Sequence, residues 1–133
     1  MTDRFVYLSQ EWAEEVKKQL SSQLDVEKMN NMTSSMTNRY SNTKAGVDQF
    51  FHVAFENGAV SAVEVGDGEG PKAEFVIFGD YEIFKQISQA TLGAQRALMT
   101  GELKLKGNMV KALKLASLVD RINKIIATIP TEF

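Results

Sequence analysis

The chain has 133 residues, 44% of them hydrophobic and 24% charged, with a formal net charge of −2 and no cysteine. One domain around one hydrophobic core suits that length; the acidic balance argues against a nucleic-acid binder, and the missing cysteine excludes disulfides, thiolate chemistry and the usual cysteine-based zinc centres. The N-terminal stretch has no apolar signal core, the C-terminus is not a peroxisomal address, and no apolar run approaches the roughly 18 residues of a membrane span, so a cytoplasmic location is expected.

Residues 9–24 place Trp12, Ala13, Val16, Leu20 and Leu24 at three- and four-residue spacing behind Ser9, which predicts a capped amphipathic helix. A second helical segment is expected after Asp25, with Met29, Met32 and Met36 along one stripe. That stripe fits plain core or, because the unbranched thioether adapts its shape, the wall of a lipid pocket. Residues 38–46 are polar and read as a loop. Asn57-Gly58, between apolar stretches 50–56 and 59–65, signals a hairpin, since a type I′ turn needs positive φ at both central residues. A two-residue turn there pairs Phe55 with Val60, Val53 with Ala62 and Phe51 with Glu64. Both faces of the hairpin then carry apolar side chains, so a cover on each side of the sheet is expected.

The glycine-rich turn 66–71 leads into a strand over 73–78, with Ala73, Phe75 and Ile77 on one face and Val76 and Phe78 on the other. Asp80 caps a helix that turns Ile83, Phe84, Ile87 and Ala90 inward. Residues 91–100 form a loop or short helix, and a fourth strand runs over 101–107. Leu103 and Leu105 share one side of it; Lys104 and Lys106 share the other, either guarding an edge strand or meeting an anionic group. Asn108 caps a final helix whose core face runs from Met109 through Ala112, Leu113 and Ala116 to Val119, Ile122 and Ile126, with a bend allowed near Ser117 and Leu118. The sum is an α+β domain, a mostly antiparallel sheet of four to five strands covered by helices.

Catalytic chemistry finds little support. His52 is the only histidine and sits within a predicted strand, without a visible nucleophile partner. Asp67 and Glu69 lack the acidic spacing of a calcium loop, and the glycines around them follow G-x-G-x-G ahead of a strand, which is a turn and not a dinucleotide fingerprint. No metal, cofactor or catalytic residue is assigned. Charge is uneven, however: residues 101–124 carry +4 and the remainder −6. The positive segment is either a solvated helix face or a rim that draws an anionic headgroup or lipid surface.

That positive segment, TGELKLKGNMVKALKL, resembles the C-terminal signature of the sterol carrier protein type-2 family of small lipid-binding domains. Gly101, Leu103, Leu105 and Gly107 match its glycine-bounded strand; Asn108, Met109, Ala112 and Leu113 match the start of its helix. Upstream, AEFVIFGDYEIFKQI resembles the family's preceding strand, acidic cap and short helix, and TLGAQRALMTG its variable connection. The resemblance covers residues 73–118 closely and reaches more loosely back to the hairpin. Family members have five strands, and residues 40–48 are where the fifth is expected.

The resemblance implies a helix-covered sheet enclosing an apolar tunnel that holds a fatty acid, fatty acyl-CoA, phospholipid or sterol-like lipid without covalent chemistry. Phe75, Ile77, Phe84, Ile87, Met99, Leu103, Leu105, Met109, Ala112 and Leu113 are the expected ligand-binding residues. Leu113→Trp is the expected way to fill the tunnel. Expected partners are the lipid itself, a transient membrane surface and a second copy in a homodimer, but not nucleic acid. The alternative is an interaction domain of the same fold that dimerises or docks on an enzyme.

Overall fold

Strand β1 (Phe5–Val6) opens the chain and pairs in parallel with β7 (Thr131–Glu132), joining its two ends. The computed structural model describes residues 4–133; the first three, part of the stretch read above for a signal core, lie outside the described residues. Ser9 Oγ accepts the backbone N–H of Trp12 at 3.2 Å and starts α1 (Gln10–Gln23), whose Trp12, Ala13, Val16 and Leu20 are buried as their spacing predicts.

The methionine stripe does not continue as a helix. After Asp25 only a single 3₁₀ turn forms (Val26–Met29), and Asn30 and Asn31 follow with φ of 53° and 52°. Two consecutive left-handed residues stop a right-handed helix, and asparagine is a residue that tolerates that region. Met36 instead lies in β2 (Ser34–Ser41), so the fifth strand starts well before the expected 40–48, and most of the presumed loop 38–46 is split between that strand and the turn after it.

β3 (Gln49–Glu56) and β4 (Ala59–Asp67) form the expected hairpin, with Asn57 and Gly58 at φ of 51° and 85°. Gly58 also lacks room for a side chain, because a Cβ there would stand 2.9 Å from the Val26 carbonyl oxygen. Phe55 pairs with Val60 as expected, but Ala54 then pairs with Ala62, Val53 with Val63 and Phe51 with Val65. Ser61 is the extra residue of a β-bulge. The bulge turns Val63 and Val65 to the same face as Phe51, Val53 and Phe55, correcting the pairing read from the sequence.

β5 (Phe75–Asp80) joins β2 in parallel, and β6 (Lys104–Lys106), shorter than expected, closes the sheet in the order β4-β3-β2-β5-β6. The sheet is mixed but mostly antiparallel, and Lys104 and Lys106 stand exposed on its edge strand. α2 (Tyr81–Ser88) is capped by Asp80, whose carboxylate accepts the Glu82 N–H; it buries Phe84 and Ile87, whereas Ala90 lies beyond its end, exposed, with φ of 59°. α3 (Ala94–Thr100) starts where Asp120 accepts the Ala94 N–H at 3.1 Å and stops at Gly101, φ 81°. α4 (Met109–Ile126) is capped by Asn108 and runs unbroken through Ser117 and Leu118, with Met109 exposed and not in the core.

One buried cluster unites Trp12, Val16 and Leu20 of α1 with Phe51, Val53 and Phe55 of β3 and Leu118, Ile122 and Ile126 of α4. Helices therefore cover one face of the sheet, not both. The other face is closed by the crossover from β4 to β5, whose Glu69 and Pro71 carbonyls accept hydrogen bonds from Arg39 and Thr37 of β2. Phe50 of β3 packs so closely under that crossover that a Cβ at Gly70 would meet its ring at 2.5 Å.

Candidate functional site

Between the helices and the sheet lies an apolar cavity of about 50 Å³. Met36, Val53, Phe55, Phe75 and Ile77 form its floor. Leu98 of α3 and Ala112, Leu115, Ala116 and Val119 of α4 form its roof. The space has a plain origin: α4 presents alanine at positions 112 and 116, one turn apart on one face, and α3 begins with Ala94. Methyl groups reach too short a distance to fill the gap above the sheet.

A second void of about 30 Å³ adjoins the first, sharing Met36, Ile77, Ala94, Leu103 and Val119 with it. Its far wall adds Phe51, Phe84 and Ile87, together with the polar side chains of Asn38, Ser88 and Asn123. Protein interiors are packed nearly as densely as organic crystals, with few voids larger than a water molecule, so two adjoining apolar voids mark this region out. Sites for small ligands occupy about 300–1,000 Å³, and the shared side chains would have to move for the two voids to merge and widen. Met36 has the flexible, unbranched chain suited to that movement.

Of the residues expected at the site, Phe75 and Ala112 line the larger void, Ile77 and Leu103 line both, and Phe84 and Ile87 line the smaller. Met99 and Met109 are instead 71% and 41% exposed. Leu105 and Leu113 are half-buried against the core and outside the lining of either void, which moves the cavity-filling position from Leu113 to Ala116. Sequence reasoning missed Val53, Phe55, Ala94, Leu98 and Ala116. The repeated alanines at four-residue spacing on α4 were the available signal. Met32 and Met36 do line the larger void, while Met29 is fully buried elsewhere in the core.

Beside the smaller void, at Ser88, Tyr7 Oη lies 2.7 Å from Tyr40 Oη and 2.6 Å from Ser88 Oγ, forming a buried hydroxyl cluster. Burial raises both phenols above their ordinary pKa, so they remain neutral hydrogen-bonding groups. Asn38 Oδ1 differs: it is buried and has no hydrogen-bond partner among the described residues. Leaving such an acceptor unpaired costs about 1–3 kcal/mol.

At the outer edge, Ser34 Oγ donates to Glu74 Oε1 at 2.6 Å, and Lys111 of α4 binds the other carboxylate oxygen. These bonds hold the Glu74 pKa below the usual carboxylate value, Lys111 first and Ser34 second. The ion pair ties the start of α4 to the sheet where Ser34, Phe75 and Ala112 border the larger void.

His52 is on the opposite face of the sheet. Its Nδ1 lies 2.8 Å from Thr37 Oγ1, which donates its one proton to the Pro71 carbonyl at 2.8 Å. The threonine must therefore accept from a protonated Nδ1. Thr37 is 0% exposed, so this pair seals the crossover. Among the described residues no cluster of three or more histidine or acidic side chains could hold a metal ion, and no helix is long and apolar enough to cross a membrane.

No curated protein matches the sequence, but solved structures share its fold. A crystal structure of sterol carrier protein 2 superposes with a TM-score of 0.79 at 19% identity, over 92% of this chain and 98% of that one. A conserved hypothetical protein of Thermus thermophilus gives 0.78 at 17% identity, over 98% of this chain and 94% of its own. The palmitated SCP2L2 of Aedes aegypti gives 0.58 at 20% identity, over 81% and 90%. The model of the SCP-2 sterol transfer family matches residues 14–120, most of the chain and every element from α1 to the body of α4. The protein belongs to the SCP-2 sterol transfer family.

Proposed function

We propose that this protein is a non-enzymatic carrier that binds one hydrophobic lipid between its sheet and helices α3 and α4. The observation that carries this reading is the alanine-roofed apolar cavity, a place where an ordinary core would be filled. The fold shared with a palmitated relative supports it. Binding would draw on removal of apolar surface from water, about 25 cal/mol per Å² before the costs of association. The acyl or ring portion would displace Met36 and Leu103 and merge the two voids. Its anionic end would stay outside, toward Lys104, Lys106, Lys111 and Lys114, all exposed on β6 and the first turns of α4.

Transfer also needs contact with a donor surface. Met99, Met109 and Val110 are exposed apolar side chains on the two helices that roof the cavity, and Lys106 and Lys111 flank the last two in sequence. Shallow insertion of these three side chains into an anionic leaflet would bring the cavity edge to the lipid.

The test is direct. Protein purified natively would be extracted with organic solvent and the extract analysed by mass spectrometry; the stripped protein would then be titrated with a fluorescent fatty acid. A co-purifying lipid, or saturable uptake at one per monomer, is expected. A folded, ligand-free protein that takes up no lipid and elutes as a dimer would replace the carrier with the interaction domain.

A further inference from the structure

We infer that the inner end of the cavity receives a hydroxyl group, so that the preferred ligand is a lipid hydroxylated at the end that enters first; this rests on the carrier reading above. β2 sends Met36, Asn38 and Tyr40 to the helix side of the sheet in alternation. Met36 is apolar, and Tyr40 is bonded to Tyr7. Asn38 alone brings a polar group there that the protein leaves open, with Oδ1 buried and unpartnered among the described residues. The void it faces also holds Ser88 and, from α4, Asn123, which is only 8% exposed. A carbonyl in such surroundings gains more from a donor than it would in water, because the apolar walls screen the interaction poorly.

The chemistry of the partner follows from what else is present. Neither void is lined by a lysine, arginine or histidine, so a carboxylate or phosphate driven to the inner end would be buried without a counter-charge. It would also be another acceptor facing an acceptor. A protonated amine would be equally uncompensated, since no acidic residue lines either void. A methyl terminus would leave the Asn38 carbonyl as it is. A neutral hydroxyl donates to Oδ1 and accepts from a second group, and the Asn123 amide and the Ser88 hydroxyl are the groups within the same lining. If the Asn38 amide turns over to present its nitrogen, the hydroxyl oxygen still accepts. The match holds in either orientation, which a carboxylate or a methyl group cannot offer.

The experiment compares fatty acids with their terminally hydroxylated counterparts, ten to eighteen carbons long, by displacement of a fluorescent fatty acid. Both members of each pair carry the same carboxylate for the lysine-rich rim, so they differ only at the end that enters first. The wild type and Asn38→Leu are titrated side by side, with thermal melting as the check on folding. At the chain length that spans the cavity, the ratio of hydroxy-acid to plain-acid affinity is expected to fall about tenfold or more from wild type to N38L, as coupling between neighbouring groups gives. N38L should melt no lower than wild type, because it replaces an unpaired polar group with an apolar one. Equal ratios in the two proteins at every length, with plain acids still binding, would overturn the hydroxyl site and leave the carrier intact. Failure of every acid to bind the wild type would overturn both. Should N38L not fold, Asn38→Val, which removes the same carbonyl with a side chain suited to a strand, carries the same comparison, and a fall or an equality of the ratio has the same meaning there.

Discussion

The two faces of the sheet solve opposite problems with the same strands. On the crossover side, Thr37 and His52 are polar groups under a loop, and each finds a partner: the imidazole donates to the threonine and the threonine to the Pro71 carbonyl. On the helix side the surfaces are apolar and need no partners, yet they fail to meet, leaving about 50 Å³ beneath Ala112 and Ala116. Empty apolar volume costs about 24 cal/mol per Å³, so the gap weighs roughly 1 kcal/mol against the fold. The crossover face is closed by hydrogen bonds that define one arrangement. The helix face retains a gap, which the proposed lipid would fill.

The largest expected effect comes from removing that defect. Ala116→Phe would place a ring in the larger void, and excluding about four methylenes of a lipid at about 0.8 kcal/mol each would weaken uptake roughly two-hundredfold. Its thermal stability should change little, the lost cavity offsetting any strain. Uptake equal to wild type in a folded A116F would move the site elsewhere. The reverse experiment is Thr37→Val on the other face. It leaves the His52 N–H and the Pro71 carbonyl unpaired, and denaturant unfolding should show a loss of about 1–3 kcal/mol while fatty-acid uptake persists. A T37V protein that loses uptake in proportion to stability would mean the two faces are not independent.

Much of this division was legible in the sequence, and the failures have physical causes. Asn57-Gly58 announced the hairpin, and Asp80 and Asn108 announced two helix starts, because each places a specific polar group where the backbone requires one. β2 was hidden because Met29, Met32 and Met36 imitate helical spacing, while the strand's own inward face alternates Met36 and Tyr40 around a polar Asn38. The bulge at Ser61 escaped for a related reason: both registers put an apolar residue against Val53, Ala62 in one and Val63 in the other, and only the charge of Glu64 opposite Phe51 and the valines at 60, 63 and 65 hint at the skipped position. For the site, Ile77, Leu103 and Ala112 follow from strand alternation and the signature helix. Emptiness could not be read that way, since a void belongs to two surfaces and neither Ala116 nor Leu98 announces what lies opposite. Met99 and Met109 show the converse error, apolar residues assigned inward that stand exposed.

A smaller effect separates the faces by pH. Burial lowers the His52 pKa below its ordinary 6.5, with Glu64 across the hairpin opposing the shift. A histidine depressed in the folded state binds its proton more readily when unfolded. The crossover face therefore contributes fully above about pH 6.5 and loses stability as pH falls below that value toward the folded pKa. Unfolding midpoints measured downward from pH 7.5 should decline before the carboxylates titrate. In His52→Gln that early decline should be absent, whatever the starting stability. An identical slope in both proteins would assign it to other groups.

The smallest effect concerns how the helix face opens. Glu74 ties Lys111 at the start of α4 to Ser34 at the start of β2, at the edge of the larger void. The Lys111 and Glu74 side chains are 49% and 35% exposed, so solvent screens the pair and its contribution to stability is below about 1 kcal/mol. Under the carrier proposal a bond that weak would suit a mouth at this edge, because its rupture would add little to the work of parting α4 from the sheet. Lys111→Met should leave the melting temperature nearly unchanged and speed lipid release about two- to fivefold, the factor by which a bond of that size slows opening. Salt should act on the same contact: added sodium chloride would accelerate release from the wild type and have less effect on K111M. If release is equally fast and equally salt-dependent in both, the lipid leaves by another route, and the Glu74 pair is only a surface tie between helix and sheet.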